Sequence, residues 1–294
     1  MSAPKPNLKS KPGSAPGGTP ALISPAMAAR LRSLTPARVG LRQSGISVAT
    51  SELLDFQSAH ARARDAVHAA LQPASLMAEL RALMQAGAYG EPSPILLHSA
   101  AKDRQTYLQC PDLGRKLDDA SRQRLQEHRQ HTSDLSIVIA DGLSALAVER
   151  HAVPLLAELL PLLRQSGPEL DLAPVCVVEQ GRVAIADEVA HTLSATLAIV
   201  LIGERPGLSS PDSLGAYITW QPQPGITTDA ERNCISNIRA EGLSYPQAAA
   251  RLLHYIREAR TRQLTGVALK DPDPALEKIQ SGKLQAASQQ ETSR

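Results

Sequence analysis

TLAIVLIGERPGLSSPDSLGAYITW, residues Thr196 to Trp220, decides the fold. Leu197 to Ile202 is an unbroken apolar run, rich in β-branched residues and closed by Gly203. Such a run reads as a strand buried on both faces, and strands of that kind belong to parallel sheets. The run stops at Gly203-Glu204-Arg205-Pro206-Gly207, where two opposite charges adjoin residues that impose an irregular backbone. In open α/β sheets, ligands bind beyond the carboxyl ends of the strands. The same residues would equally serve a tight turn carrying a solvated ion pair. A second apolar run, Leu214 to Trp220, follows the polar hinge Ser209 to Ser213.

Working upstream, Leu135 to Ala140 (LSIVIA) is a second buried-strand run and ends in Asp141-Gly142. A helical stretch follows, with breaks expected at Pro154 and Pro161 and a C-cap at Gly167. Pro174 to Val178 is the next strand and leads into Glu179-Gln180-Gly181-Arg182-Val183. Ile185, Val189 and Leu193 then keep helical register. Strand, helix, strand, helix, strand predicts a doubly wound, mainly parallel sheet with right-handed crossovers. Parallel strands place their carboxyl ends on one rim. Asp141-Gly142, Gly181-Arg182-Val183 and Gly203-Glu204-Arg205 should therefore converge. Downstream, Ser244 to Gln247 is a capping box opening a helix whose Leu252, Tyr255, Ile256 and Ala259 share a face.

Before the sheet, residues 26–133 read as a smaller, mainly helical region. Leu53, Phe56, His60, Ala63, Val67 and Ala70 recur at intervals of three and four, behind an N-cap at Thr50 or Ser51. His60 reads as a packed or interfacial histidine. Ser75 to Gln85 is a further helix, Pro92 to His98 a short strand, and Tyr107 to Leu117 an irregular turn into a helix ending near His128. Residues 1–25 are rich in Pro, Gly, Ser and Lys, and residues 267–294 are polar, so both are expected to be disordered tails. The sheet domain then spans 134–266.

The 294 residues suffice for one large domain or two modest ones. A net charge of +2, with dispersed Lys and Arg and only 2% aromatic residues, argues against a nucleic-acid partner. No run is long enough for a membrane span, and the N-terminus lacks the apolar core of a signal peptide. The three cysteines, Cys110, Cys176 and Cys234, form no CxxC and fit a reducing cytoplasm. GxGxxG, GxxxxGK[ST], GxSxG and HExxH are all missing, which disfavours a stand-alone nucleotide-binding enzyme. Asp-x-His-x-x-Gly, whose His replaces the nucleotide base of cobalamin in some Rossmann-like folds, is also missing.

The longer blocks are informative together. DLSIVIADGLSALAV (134–148), VEQGRVAIADEV (178–189), VLIGERPGLSSPDSLGAY (200–217) and DAERNCISNIRAEGLSYPQAAARLL (229–253) strongly resemble the small subunit family of ethanolamine ammonia-lyase. YLQCPDLGRKL (107–117) is similar to an upstream block of the same family. The resemblance covers roughly 37–260. It implies a Rossmann-like, hetero-oligomeric subunit that holds adenosylcobalamin, base-on, against a large catalytic subunit. The implied reaction is radical conversion of ethanolamine to acetaldehyde and ammonia, the chain being inactive alone. It also implies cofactor contacts at Val183, Glu204 and Cys234, with no catalytic residue or metal ligand in this chain. Glu204 would accept a hydrogen bond from a corrin amide, Val183 would line the corrin or benzimidazole, and Cys234 would be a packing contact. Arg182 and Arg205 could meet the nucleotide-loop phosphate, or Arg205 could pair with Glu204. Cys110 stands where the family pattern suggests Arg, and Leu41 to Ile46 also diverges. The rival reading is a non-catalytic cobalamin-binding or assembly subunit. Cytoplasmic residence is expected, and the family extends this to bacterial microcompartments, although the N-terminal tail shows no amphipathic encapsulation helix.

Overall fold

The computed structural model describes residues 23–35, 37–44, 46–87, 93–129, 132–165 and 170–270. Residues 1–22, 271–294 and the expected cap Gly167 lie outside the described residues. The chain forms two compact units, one up to His60 and one from Ala61.

The first unit holds α1 (Pro25–Leu34), the two-residue strands β1 (Gln43–Ser44) and β2 (Ser47–Val48), and the start of α2 (Thr50–His68). Ser24 caps α1, its Oγ accepting from the Met27 N–H at 3.2 Å. Buried Glu52 gathers this unit: its carboxylate meets Arg32 at 2.8 Å and its carbonyl accepts from Arg38 at 2.8 Å. Helix α2 begins at Thr50 itself, and the Ser51 hydroxyl accepts from Arg42 instead of capping the helix. The expected apolar face of α2 is exposed over its first half, where Leu53 and Phe56 are 47% and 39% exposed, while Ala63 and Val67 further along are partly buried. The Phe56 ring stacks on His60, and the Arg38 guanidinium lies over the ring, 5.2 Å from its centroid. The buried positions are Glu52, Ala59 and Ala66, spaced by seven.

The second unit contains α3 (Pro73–Ala86), β3 (Ile95–His98), α4 (Arg104–Gln109), α5 (Asp119–Gln126), β4 (Ser133–Ala140), α6 (Ala145–Gln165), β5 (Cys176–Glu179), α7 (Ile185–Thr192), β6 (Ala195–Gly203), β7 (Leu214–Trp220), β8 (Arg232–Ile238) and α8 (Tyr245–Arg262). Its sheet runs β3-β5-β4-β6-β7-β8. The first four strands are parallel, and β7 and β8 extend the sheet antiparallel. The chain steps outward from β4 to β5 and returns across β4 to β6, so the winding reverses between β4 and β6. This is the expected mainly parallel α/β sheet, and strand β3 belongs to it.

The central run is buried on both faces because its residues alternate between two cores. Leu197, Ile199 and Leu201 join α3, α6 and α8 on one side; Ala198, Val200 and Ile202 join α5 and α7 on the other. Helix α6 runs unbroken through Pro154 and Pro161. Each internal proline costs about 3 kcal/mol. Leu155, Leu156, Leu159, Leu160 and Leu163 are buried on the same helix, and each is worth about 1.5–3 kcal/mol. Packing therefore outweighs the two lost hydrogen bonds. The box at Ser244 forms as expected, with the Ser244 hydroxyl 2.9 Å from Gln247 Oε1. Beyond α8, Gly266–Ala268 makes a tight turn, and Leu269 is buried with its carbonyl accepting from Asn233 at 2.9 Å. Among the described residues, no helix is long and apolar enough to cross a membrane.

Candidate functional site

The three strand ends converge, but they do so by close backbone contact. The Gly203 carbonyl accepts from the Leu143 N–H at 2.9 Å. A Cβ on Gly142 would lie 2.3 Å from the Gly203 oxygen, and one on Gly203 would lie 2.0 Å from the Ser144 oxygen. Only glycine permits that approach. Asp141 Oδ1 accepts from the Gly181 N–H at 3.1 Å, joining the β4 and β5 ends.

Asp141 is fully buried, so it organises the rim from within. Arg104 is placed beside it, 3.6 Å from Oδ2, and donates to the Gly142 carbonyl at 2.7 Å and the Val67 carbonyl at 2.7 Å. Arg104 and Arg182 flank the Tyr107 ring at 4.7 and 4.2 Å. Arg182 also donates to the Tyr107 carbonyl at 3.0 Å, so it is committed to this stack. Burial drives the Asp141 carboxyl up to about 6, against the pull of Arg104 and three backbone N–H groups. The folded chain thus holds a proton that the unfolded chain releases between about pH 4 and 6. That stabilisation is full below about pH 4 and is lost as pH rises through 6. Asp141→Asn lacks the titration. Its stability relative to the parent should improve by on the order of 2 kcal/mol between pH 4 and 7. Urea midpoints at both pH values check this, and a pH-independent difference would refute it.

Glu204 continues the hairpin: its N–H donates to the Ser213 carbonyl at 2.9 Å. Its half-buried carboxylate does not pair with Arg205 among the described residues. It accepts from the Ser213 hydroxyl, the Ser236 hydroxyl and, at 3.2 Å, the Asn237 N–H. A Cβ on Gly215 would sit 3.0 Å from Glu204 Oε1, so glycine makes room for the carboxylate. A carboxylate has about four acceptor positions, and three are used here.

The loop between Glu204 and Ser213 is pinned at its far end. Asp212 pairs with Arg150 at 2.7 Å, and the Ser144 hydroxyl donates to the Pro211 carbonyl at 2.9 Å. Buried His151 lies 2.8 Å from the Tyr245 hydroxyl; burial holds its ring below the ordinary histidine value, against the nearby Asp212.

Cys234 pairs across the ladder with Tyr217 and stands two residues from Ser236, so both β8 side chains emerge on the side of Glu204. Cys234 and Ser236 are exposed and Tyr217 is half-buried. The sheet is therefore open to solvent over its antiparallel edge. Local desolvation and the Glu204 charge raise the Cys234 thiol, against hydrogen bonds to Tyr217 and Ser236. It is a neutral thiol at neutral pH. Val183 is half-buried and, like Tyr217, packs against the core on that same side. Glu204 and Cys234 are thus brought together directly, and Val183 borders the same face from the β5 end.

Sequence reading missed several residues that build this face. Ser213 and Ser236 hold Glu204, and Arg232 grips Asp187 with two bonds of 2.7 Å. The available signal was period two: Arg232, Cys234 and Ser236 alternate in RNCISNI, but its polar residues hide a strand.

Residues 25–270 match the family described as ethanolamine ammonia-lyase light chain (EutC). The ethanolamine ammonia-lyase small subunit of Pseudomonas aeruginosa is 57% identical over 244 residues, covering 82% of this chain and 86% of that protein. The small subunit of Ralstonia nicotianae is 53% identical over 256 residues, covering 86% of this chain and 91% of its own. That of Pseudomonas syringae pv. tomato is 55% identical over 244 residues, covering 82% of each. With its mainly parallel sheet and a match across most of its length, the chain belongs to the ethanolamine ammonia-lyase light chain family, whose members are subunits of a lyase.

Proposed function

We propose that this subunit holds adenosylcobalamin, base-on, on the open face bounded by Val183, Glu204 and Cys234, and presents it to a large catalytic subunit that binds ethanolamine. One observation carries the reading. Glu204 is fixed by Ser213, Ser236 and the Asn237 N–H, yet it is half-exposed and keeps acceptor capacity toward solvent. A corrin bears amide donors on its periphery, so the donor set of the ligand suits the acceptor of the protein.

When bound, adenosylcobalamin supplies the radical chemistry that turns ethanolamine into acetaldehyde and ammonia. The residues of this chain bind and orient. Glu204 would accept an amide N–H from the ring periphery, a charge-assisted contact. Val183 provides an apolar edge. Cys234, as a neutral thiol, would serve as a packing contact. Asp141, Arg104 and Arg182 keep the rim rigid beneath these contacts. The base-on state is supported by the missing Asp-x-His-x-x-Gly, the motif whose His replaces the nucleotide base in base-off cobalamin folds. We place the assembled enzyme in the cytoplasm, with residence in a bacterial microcompartment as the family's further option.

The test is co-expression with candidate large subunits followed by an acetaldehyde assay with adenosylcobalamin. The purified chain alone should produce no acetaldehyde, and the complex should produce it. Turnover by the single chain would overturn the division of labour, and an inactive, cofactor-free complex would overturn the reading itself.

A further inference from the structure

A cavity of about 450 Å³ lies alongside the first turn of α7, one residue from Val183 through Ala184. Its volume is that of a small-ligand pocket. Its walls come from the 112–122 segment, from α7 and from the 224–227 loop, all within the second unit.

The charges around it are unequally satisfied. Asp187 gives both oxygens to Arg232, each at 2.7 Å. Glu188 gives one oxygen to Arg122 Nε at 2.7 Å and the other to the Leu117 N–H at 2.8 Å. Arg122 is further held by Asp119 at 2.6 Å and the Leu117 carbonyl at 2.9 Å. Those ions are spoken for within the fold. Arg115 and Lys116 line the same cavity, are exposed, and among the described residues make no side-chain hydrogen bond or ion pair. The remaining acid in the wall is Asp112. Two free cations against one free carboxylate leave one positive charge facing a space much larger than a simple anion.

We propose that this cavity receives the sugar–phosphodiester part of the cofactor's nucleotide tail, with Arg115 and Lys116 as its counter-charges. The inference rests on the reading that the Val183 face holds a cobalamin. A phosphodiester carries one negative charge and accepts from both guanidinium and ammonium donors. Ribose fills volume that a bare phosphate would leave empty. The other source of the same chemistry is free inorganic phosphate, and the two are separable.

The experiment uses the complex with the large subunit and follows binding by the visible absorbance of the corrin. Adenosylcobalamin and adenosylcobinamide, which lacks the nucleotide tail, are titrated against the wild type and an Arg115→Gln/Lys116→Gln variant. The variant should lose about tenfold or more in affinity for the cobalamin and keep its cobinamide affinity within about twofold. Equal weakening of both corrinoids, or of neither, would overturn the assignment. Inorganic phosphate is titrated against both proteins in parallel. Phosphate binding that disappears in the variant while cobalamin affinity is unchanged would mark a free-anion site and overturn the cofactor subsite. A wild-type complex that binds neither corrinoid would remove the underlying reading together with this one. Binding of both, unaltered in the variant, would remove this one alone.

Discussion

Asp187→Ala should destabilise the second unit by about 3–5 kcal/mol, because it strands a buried guanidinium. Arg232 and Asp187 are both nearly inaccessible and meet through two bonds of 2.7 Å. Burial opposes the Arg232 charge, and Asp187 with a smaller part from Asp229 together outweigh it, holding the guanidinium above its ordinary range. Without Asp187, the partners of Arg232 among the described residues are Thr219 Oγ1 at 3.0 Å, the Thr227 carbonyl at 3.4 Å and exposed Asp229 at 3.5 Å. A unit of this size loses about 2–4 °C of melting temperature per kcal/mol, so a fall of about 10 °C is expected. The pair joins α7 to β8 across the open face, so the loss also loosens the frame that carries Val183 and Cys234. Trp220 is the only tryptophan, and its fluorescence reports the unfolding of this sheet edge directly. A shift below about 1 kcal/mol would show that the pair is dispensable. An apolar pair matched in volume to Asp187 and Arg232 should recover the stability, since buried ion pairs gain little over good apolar packing.

Glu204→Ala should lower cofactor affinity in the assembled enzyme by about one to two decades, the loss of a bond to a charged acceptor costing about 1.5–3 kcal/mol. It should also lower stability, because Ser213, Ser236 and the Asn237 N–H all lose their acceptor. Ser236 and Asn237 are exposed and can turn to water, whereas Ser213 is only 6% exposed and cannot. The stability cost is therefore about one unsatisfied buried group, on the order of 1–3 kcal/mol. Glu204→Gln should lose less on both counts, since its carbonyl still accepts and the serine hydroxyls can reorient.

The sheet was legible because its central strands are extreme. Leu197 to Ile202 is apolar without interruption and Leu135 to Ala140 is broken only by Ser136, and a strand of that kind is covered on both faces. The rim followed from topology, since parallel strands must end together. Strand β8 escaped because Asn233, Cys234, Ser236 and Asn237 give it no apolar alternation; half its side chains face the open side of the sheet. Helix α2 shows the opposite failure. Its apolar period is real, but periodicity locates a face and not what covers it, so Leu53 and Phe56 stand exposed while Ala59 and Ala66 are buried. The unbroken α6 could not be read from Pro154 and Pro161 alone, because the leucines that offset them act through tertiary burial. At the site, the partners of Glu204 come from 9, 32 and 33 residues away. Arg205 is the sequence neighbour, yet strand pairing brings Ser213 and Ser236 closer.

The cofactor affinity of the assembled complex, measured by corrin absorbance for the wild type, Glu204→Ala and Ser213→Ala, separates contact from support. Ser213→Ala removes a structural partner of the carboxylate and leaves the carboxylate in place. Measured below the melting temperature of all three, Glu204→Ala should bind adenosylcobalamin about ten- to a hundredfold more weakly, and Ser213→Ala within about threefold of the wild type. Equal affinity of all three, with stability alone reduced, would contradict the account and reduce Glu204 to a brace of the β6–β8 edge.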